Sequence, residues 1–281
     1  MQPEYADDPG GSGGGGLYIP PMTQCVKRLM IINAVVFFVQ LVAGALGLRD
    51  GFIKAFALNP ADWNSLLSPV WQLVTYGFLH DPNNALHLMW NMLMLYMFGT
   101  WLEGVVGARR FLVFYLIATV IGGAAQLGVS VVMLQVSAST GWGAPMLGAS
   151  GAVLGVTIAM ATLEPARRII FFIIPMSLKT LAFLVVGKDV VGLLMDMSQP
   201  GGGVAHIVHL GGALTGFLAI RTGLIWKDPV QRLTARVDAR QADQEIDMRK
   251  KLDLLLEKIN REGIASLSSS EKKFLKRASK R

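Results

Sequence analysis

Two short segments carry residues that together could perform acyl transfer. Gly148-Ala149-Ser150-Gly151 opens one apolar stretch, and Ala205-His206-Ile207-Val208-His209-Leu210-Gly211-Gly212 opens another. A serine hydroxyl is a weak nucleophile until a base such as imidazole takes its proton, so the pair is a minimal unit for cleaving an amide. Both segments sit in long apolar blocks, where polar side chains are costly and are functional candidates by default. A third segment, His87-Leu88-Met89-Trp90-Asn91, places two side-chain donors four residues apart, on one helical face. Such donors are what the oxyanion of acyl transfer requires.

Each motif also has a plainer reading. Serine is a common helix N-cap, and Ala152 stands where the soluble hydrolase elbow has its second glycine. Histidines in membranes bond carbonyls across helix interfaces, and His87 with Asn91 could simply join two helices. His206 and His209 raise a two-histidine metal site, but the spacing offers no third ligand: Asp196 is the only close carboxylate. Cys25, the chain's one cysteine, excludes an internal disulfide and a cysteine-based metal site.

The elements that must position these residues are membrane spans. Of 281 residues, 52% are hydrophobic and 16% charged, against about a quarter charged in soluble domains. Six apolar blocks, near 29–48, 85–102, 111–136, 147–164, 169–195 and 204–226, predict an all-α membrane protein with six transmembrane helices. The 49–84 loop, rich in tryptophan and proline, is expected to pack on the membrane surface. Six spans put both termini on one side, together with Lys27, Arg28, Arg109, Arg110, Arg167, Arg168, Lys227 and the tail. The bias of Lys and Arg toward the cytoplasm then predicts a multi-pass protein of the cell inner membrane with both termini cytoplasmic. A five-span alternative would put the basic tail outside. In the six-span arrangement His87, Asn91, Ser150, His206 and His209 all fall near the outer leaflet. Gly151 with Gly155 and Gly212 with Gly216 repeat a small-xxx-small spacing, which predicts that the fourth and sixth spans touch.

With those residues in place, the chain resembles the rhomboid family of intramembrane serine proteases over roughly residues 25–225. The resemblance rests on Gly148-Ala149-Ser150-Gly151, His209-Leu210-Gly211-Gly212 with Gly216, and His87-Leu88-Met89-Trp90-Asn91, in that family's order and spacing. It implies a six-helix rhomboid bundle and a serine endopeptidase that cuts membrane proteins within or beside their spans near the outer leaflet. Ser150 is then the nucleophile and His209 the general base, without a third acidic member. His87 and Asn91, with the Ser150 and Gly148 backbone region, form the oxyanion hole, and His206 is structural. No metal or other cofactor is implied; the partners are transmembrane protein substrates and lipid. Two positions depart from the family pattern. Trp71-Gln72 replaces a frequent tryptophan–arginine pair, which should alter loop anchoring. Leu154 replaces an aromatic residue often found under the catalytic imidazole, which should loosen the histidine and lower activity.

A silent rhomboid-like protein that binds membrane clients is the competing reading, disfavoured by the presence of both Ser150 and His209. A proton-relay transporter would need acidic partners in the histidine region. The formal net charge of +7 does not point to nucleic acid, because the positive residues flank apolar blocks and fill the tail rather than forming a patch with aromatics. Residues 1–24, acidic and then glycine-rich, read as a disordered cytoplasmic arm rather than a cleaved signal. Residues 25–226 form the membrane domain, and 227–281 a short helical cytoplasmic tail. That tail resembles one appended to some bacterial rhomboids, through Leu-Glu-Lys-Ile-Asn-Arg-Glu-Gly and Glu-Lys-Lys-Phe-Leu-Lys-Arg-Ala-Ser. Within it, Gly263 predicts a helix stop and Ser268 with Glu271 a capping box. Lys188-Asp189 stands out: if the fifth span begins near Leu178, the pair lies close to the membrane midplane, where charge is costly.

Overall fold

The computed structural model describes residues 21–63, 69–136, 140–171, 173–198, 205–227, 248, 250–263 and 266–278. The expected N-terminal arm lies almost wholly outside them. The chain divides into two units, Met1–Lys227 and Asp228–Arg281.

The first unit is mostly helical. Its helices are α1 (Gln24–Ala45), α2 (Arg49–Phe56), α3 (Gln72–Thr75), α4 (Ala85–Met94), α5 (Thr100–Val106), α6 (Ala108–Val136), α7 (Ser150–Leu163), α8 (Leu178–Ser198) and α9 (Ala205–Arg221). A π-helical turn over Leu95–Gly99 joins α4 to α5. The fifth apolar block is not helical from its start. Arg168–Phe171 (β1) and Ile174–Ser177 (β2) form an antiparallel hairpin with Arg168 opposite Ser177. Pro175 sits in β2, where its missing N–H is tolerated far better than in a helix interior. The helix therefore begins at Leu178, the register that puts Asp189 deep within α8.

Among the described residues two helices, over Gln24–Ala45 and Ala108–Gln135, are long and apolar enough to cross a membrane by length and composition; Ser150–Leu163 is apolar but shorter. Burial runs opposite to a water-soluble protein. Val35 and Phe38 on α1, Val132 on α6, and Phe183, Leu184 and Leu194 on α8 are exposed, whereas Asn33, Gln40, Gln72, Gln126, Thr157 and Asp189 are buried. Exposed apolar surface of that extent marks a surface made for something other than water. One of these inward polar groups ties distant segments together: Gln40 clamps His80, donating to its carbonyl (2.9 Å) and accepting from its N–H (3.0 Å).

Glu103 on α5 is only 5% exposed and caps another helix. Its carboxylate accepts from the N–H groups of Cys25 (3.0 Å) and Val26 (2.9 Å) and from the Thr23 hydroxyl. First-turn N–H groups have no acceptor within their own helix, and a negative charge there also complements the helix dipole. Glu103→Ala strands two buried donors at about 1–3 kcal/mol each, so a destabilisation of about 2–6 kcal/mol is expected. Thermal unfolding in detergent checks this; an unchanged midpoint refutes the capping role.

The described residues of the second unit form two short helices. Residues 250–262 are helical and form α10, and α11 spans Ser269–Ala278. Gly263 takes φ +79°, and its N–H closes α10 onto the Ile259 carbonyl at 2.8 Å. The Ser268 N–H donates to Glu271 at 2.7 Å, while the Glu271 N–H donates back to the Ser268 hydroxyl at 3.3 Å. These bonds, helped by Lys258, hold the Glu271 carboxyl down at about 2. Leu255 and Leu267 are buried within this unit.

Candidate active site

The site is built by the approach of α7 to α9. A Cβ on Gly212 would fall on the Gly151 carbonyl oxygen, one on Gly216 would fall on that of Gly155, and one on Gly155 would lie 2.8 Å from the Gly212 oxygen. Only glycine lets the two backbones come this close. Ser150 precedes Gly151, and His209 precedes Gly212 by three residues, so the crossing brings them face to face. The distance from His209 Nε2 to Ser150 Oγ is 2.7 Å.

The turn into Ser150 depends on Gly148, which has φ +136°. A Cβ there would lie 3.0 Å from Cε1 and Nε2 of His87 and 3.5 Å from Ser150 Oγ. His87 therefore faces the serine across the space that Gly148 leaves open. The Gly148 N–H, however, donates to the Tyr76 carbonyl at 3.0 Å, so this residue supplies the turn and the room rather than a spare donor. The Ser150 N–H belongs to the first turn of α7, which has no acceptor within its own helix. Asn91 is buried, and its Nδ2 donates to the His87 carbonyl at 2.8 Å. That bond ties Asn91 to its own helix.

Tyr76 links the site to the scaffold through its hydroxyl, which donates to the Thr119 carbonyl on α6 at 2.7 Å. Leu58 and Met146 exchange two backbone bonds, of 3.0 and 2.9 Å, joining the long loop to the segment before Ser150. Gln72 anchors that loop from within. Its Oε1 accepts from the Asn59 N–H (3.1 Å) and its Nε2 donates to the Lys54 carbonyl (2.9 Å). The Trp71 indole donates to Ala55 at 2.8 Å. Anchoring thus differs from a tryptophan–arginine pair but is not lost.

The residue that the spacing argument missed is Asp189. Its Oδ1 lies 3.0 Å from His209 Nδ1, 2.7 Å from His206 Nδ1 and 2.9 Å from Lys188 Nζ. The carboxylate beside the histidines is therefore Asp189, contrary to the expectation that named Asp196, whose side chain lies outside the described residues. A carboxylate on Nδ1–H fixes the imidazole with its Nε2 lone pair toward Ser150. It also supplies the orientation expected to be lost at Leu154, which packs with Ile158 and Ala213 and against Val185. The cost of an unpaired buried charge was the available signal: Asp189 inside an apolar block had to find partners. A second missed residue is His80, fully buried with its ring 5.1 Å from that of His87. Burial, and after it the neighbouring His87, push His80 down to about 4, so at neutral pH it is an uncharged support for His87.

The Rhomboid domain family matches residues 68–225. The chain belongs to the rhomboid family. Residues 235–281 match a family of unknown function, DUF6576. The rat presenilin-associated rhomboid-like protein, mitochondrial, is 30% identical over 208 residues, covering 72% of this chain and 50% of the relative. Its human counterpart is 29% identical over the same shares. The Arabidopsis thaliana RHOMBOID-like protein 12, mitochondrial, is 28% identical over 69% of this chain and 56% of its own length. This rhomboid chain thus spans about half the length of the curated relatives it matches. Those relatives are named as mitochondrial, which overturns the expectation of a cell inner membrane with cytoplasmic termini. The charge bias behind that expectation separates the two faces of a membrane and carries no information on which membrane it is.

Proposed function

We propose that this rhomboid is an intramembrane serine endopeptidase acting on membrane-protein substrates, with a six-span catalytic unit over residues 25–226 and residues 227–281 as a separate tail. The observation that carries the reading is the 2.7 Å contact between His209 Nε2 and Ser150 Oγ. Ser150 Oγ attacks the scissile carbonyl while His209 Nε2 takes its proton and later delivers it to the leaving amine. Asp189 Oδ1 holds the Nδ1–H of His209 throughout. The oxyanion falls toward the Ser150 N–H and the His87 imidazole, across the gap left by Gly148. Asn91 keeps the carbonyl end of His87 in register, and no cofactor takes part.

Exposed apolar faces on α1, α6 and α8 support the bundle. The length of α7, Ser150–Leu163, supports the depth of the site. Fourteen residues rise about 21 Å, against a hydrocarbon core of roughly 30 Å. Ser150 is then recessed below the surface, where a substrate span could present a loosened end. The names of the relatives favour a mitochondrial membrane as the setting.

The test is labelling by a serine-directed fluorophosphonate together with cleavage of a generic single-span substrate in detergent. Both are expected in the wild type and absent in Ser150→Ala. Stable, folded protein that binds the substrate but neither labels nor cleaves it would favour the client-binding reading instead.

A further inference from the structure

We propose that Asp189, His206 and His209 form a binding site for a divalent cation of the zinc class, and that occupation of this site switches the serine off. The candidate ligand atoms of the three residues all lie within 4.8 Å of one another. Two imidazoles direct Nδ1 at one carboxylate oxygen, at 2.7 and 3.0 Å. Zinc bonds of about 2.0–2.2 Å in a tetrahedral arrangement separate neighbouring ligand atoms by roughly 3.3–3.5 Å. The two Nδ1–Oδ1 distances therefore have to open by roughly 0.3–0.8 Å, while the widest ligand separation, at most 4.8 Å, draws in. Two nitrogens and one carboxylate oxygen, with a fourth position left for water, are a donor set zinc takes readily.

The surroundings favour an ion over a purely structural contact. Gly192 on α8 makes the room: a Cβ there would fall on the His206 ring. His206 lines an open groove on α8 with Phe183, Leu184, Lys188 and Gly192, so one imidazole of the cluster is reachable from outside the bundle. The side chains of His206 and His209 are 22% and 17% exposed, while that of Asp189 is 2% exposed. Lys188 occupies the carboxylate in the meantime, but its side chain is 64% exposed and can swing away from it. Its ammonium is the group a cation displaces.

The consequence for His209 follows from valence. A neutral imidazole that ligates through Nδ1 must carry its proton on Nε2. The cation replaces the Nδ1 proton and Nε2 takes one up, so a neutral ring releases no net proton. His209 Nε2–H then donates to Ser150 Oγ instead of accepting from it, and the serine cannot be activated. The inhibition rests on the proteolytic reading above; the binding does not.

Cobalt(II) titrated into detergent-purified Ser150→Ala protein tests the binding without activity. A visible d–d absorption band that zinc abolishes is expected. His206→Asn retains an N–H at the Nδ1 position to bond Asp189 but removes the ligand. It is expected to weaken cobalt binding by more than the about 10–100-fold that loss of an outer-shell partner costs. Lys188→Ala, which removes the competing ammonium, is expected to tighten it. In the wild-type background zinc is expected to inhibit cleavage, whereas His206→Asn cleaves within several-fold of wild type and resists zinc. Absence of the band even in Lys188→Ala, or undiminished binding in His206→Asn, overturns the site. Zinc inhibition that persists at equal potency in His206→Asn overturns the switch. If the wild type does not cleave, the cobalt result still decides the site.

Discussion

Ser150→Ala and His209→Ala are each expected to lower kcat by about 10⁴–10⁶-fold, and the double variant to be no worse than either, as for groups that act as one unit. The basis is the single bond between His209 Nε2 and Ser150 Oγ. Without the base the hydroxyl is a poor nucleophile, and without the hydroxyl the base has no proton to take. Thermal unfolding should separate this from damage to the fold, because Ser150 lies at the end of α7 and contributes little to its packing. The measurement is turnover of a single-span substrate by each variant at matched folded fraction. Additive losses in the double variant would show that the two residues act in separate steps. A dead His206→Ala beside an active His209→Ala would move the base to the other ring.

What could be read in the sequence was whatever short-range spacing determines. Glycines four apart on two segments predict the close crossing of α7 and α9, which pairs Ser150 with an imidazole; the choice of His209 over His206 rests on the resemblance of His209-Leu210-Gly211-Gly212 to the family motif. The capping box at Ser268 and the stop at Gly263 are likewise local, and both are found. The contacts that were illegible depend on registers that spacing does not set. Asp189 reaches His209 only because the β1–β2 hairpin takes up residues before Leu178; a helix starting at Ile169 would carry it well away from the histidines. The Gly148 N–H is occupied by Tyr76, a partner from the long loop, where hydrophobic periodicity is silent. His87 and Asn91 show the limit of an i, i+4 pair. The spacing that aligns two donors on one face also lets Asn91 Nδ2 spend one of its two N–H groups on the His87 carbonyl, the bond observed, which leaves the second as a donor.

Asp189→Asn is expected to lower kcat by about 10²–10⁴-fold with KM little changed, the upper figure being the loss known when a triad histidine is held in the wrong tautomer. Asp189 touches neither substrate nor serine; it is a positioning residue acting through His209 Nδ1 at 3.0 Å. An asparagine has the same shape but can turn an N–H toward Nδ1. The ring proton then moves to Nε2, which faces Ser150 as a donor. Asp189→Ala should be worse for stability but not much worse for kcat, because it strands the Nδ1–H groups of two half-buried rings without selecting the wrong tautomer so strongly. Lys188→Ala is the control: it keeps the carboxylate, removes only an exposed partner, and should leave kcat within several-fold. Fluorophosphonate labelling, which also needs the base, should slow in Asp189→Asn by about the same factor as cleavage. A residue that merely holds α8 against α9 would instead lower the unfolding midpoint while the surviving folded protein turned over normally. Wild-type labelling rates in folded Asp189→Asn would therefore reduce the site to Ser150 and His209 alone.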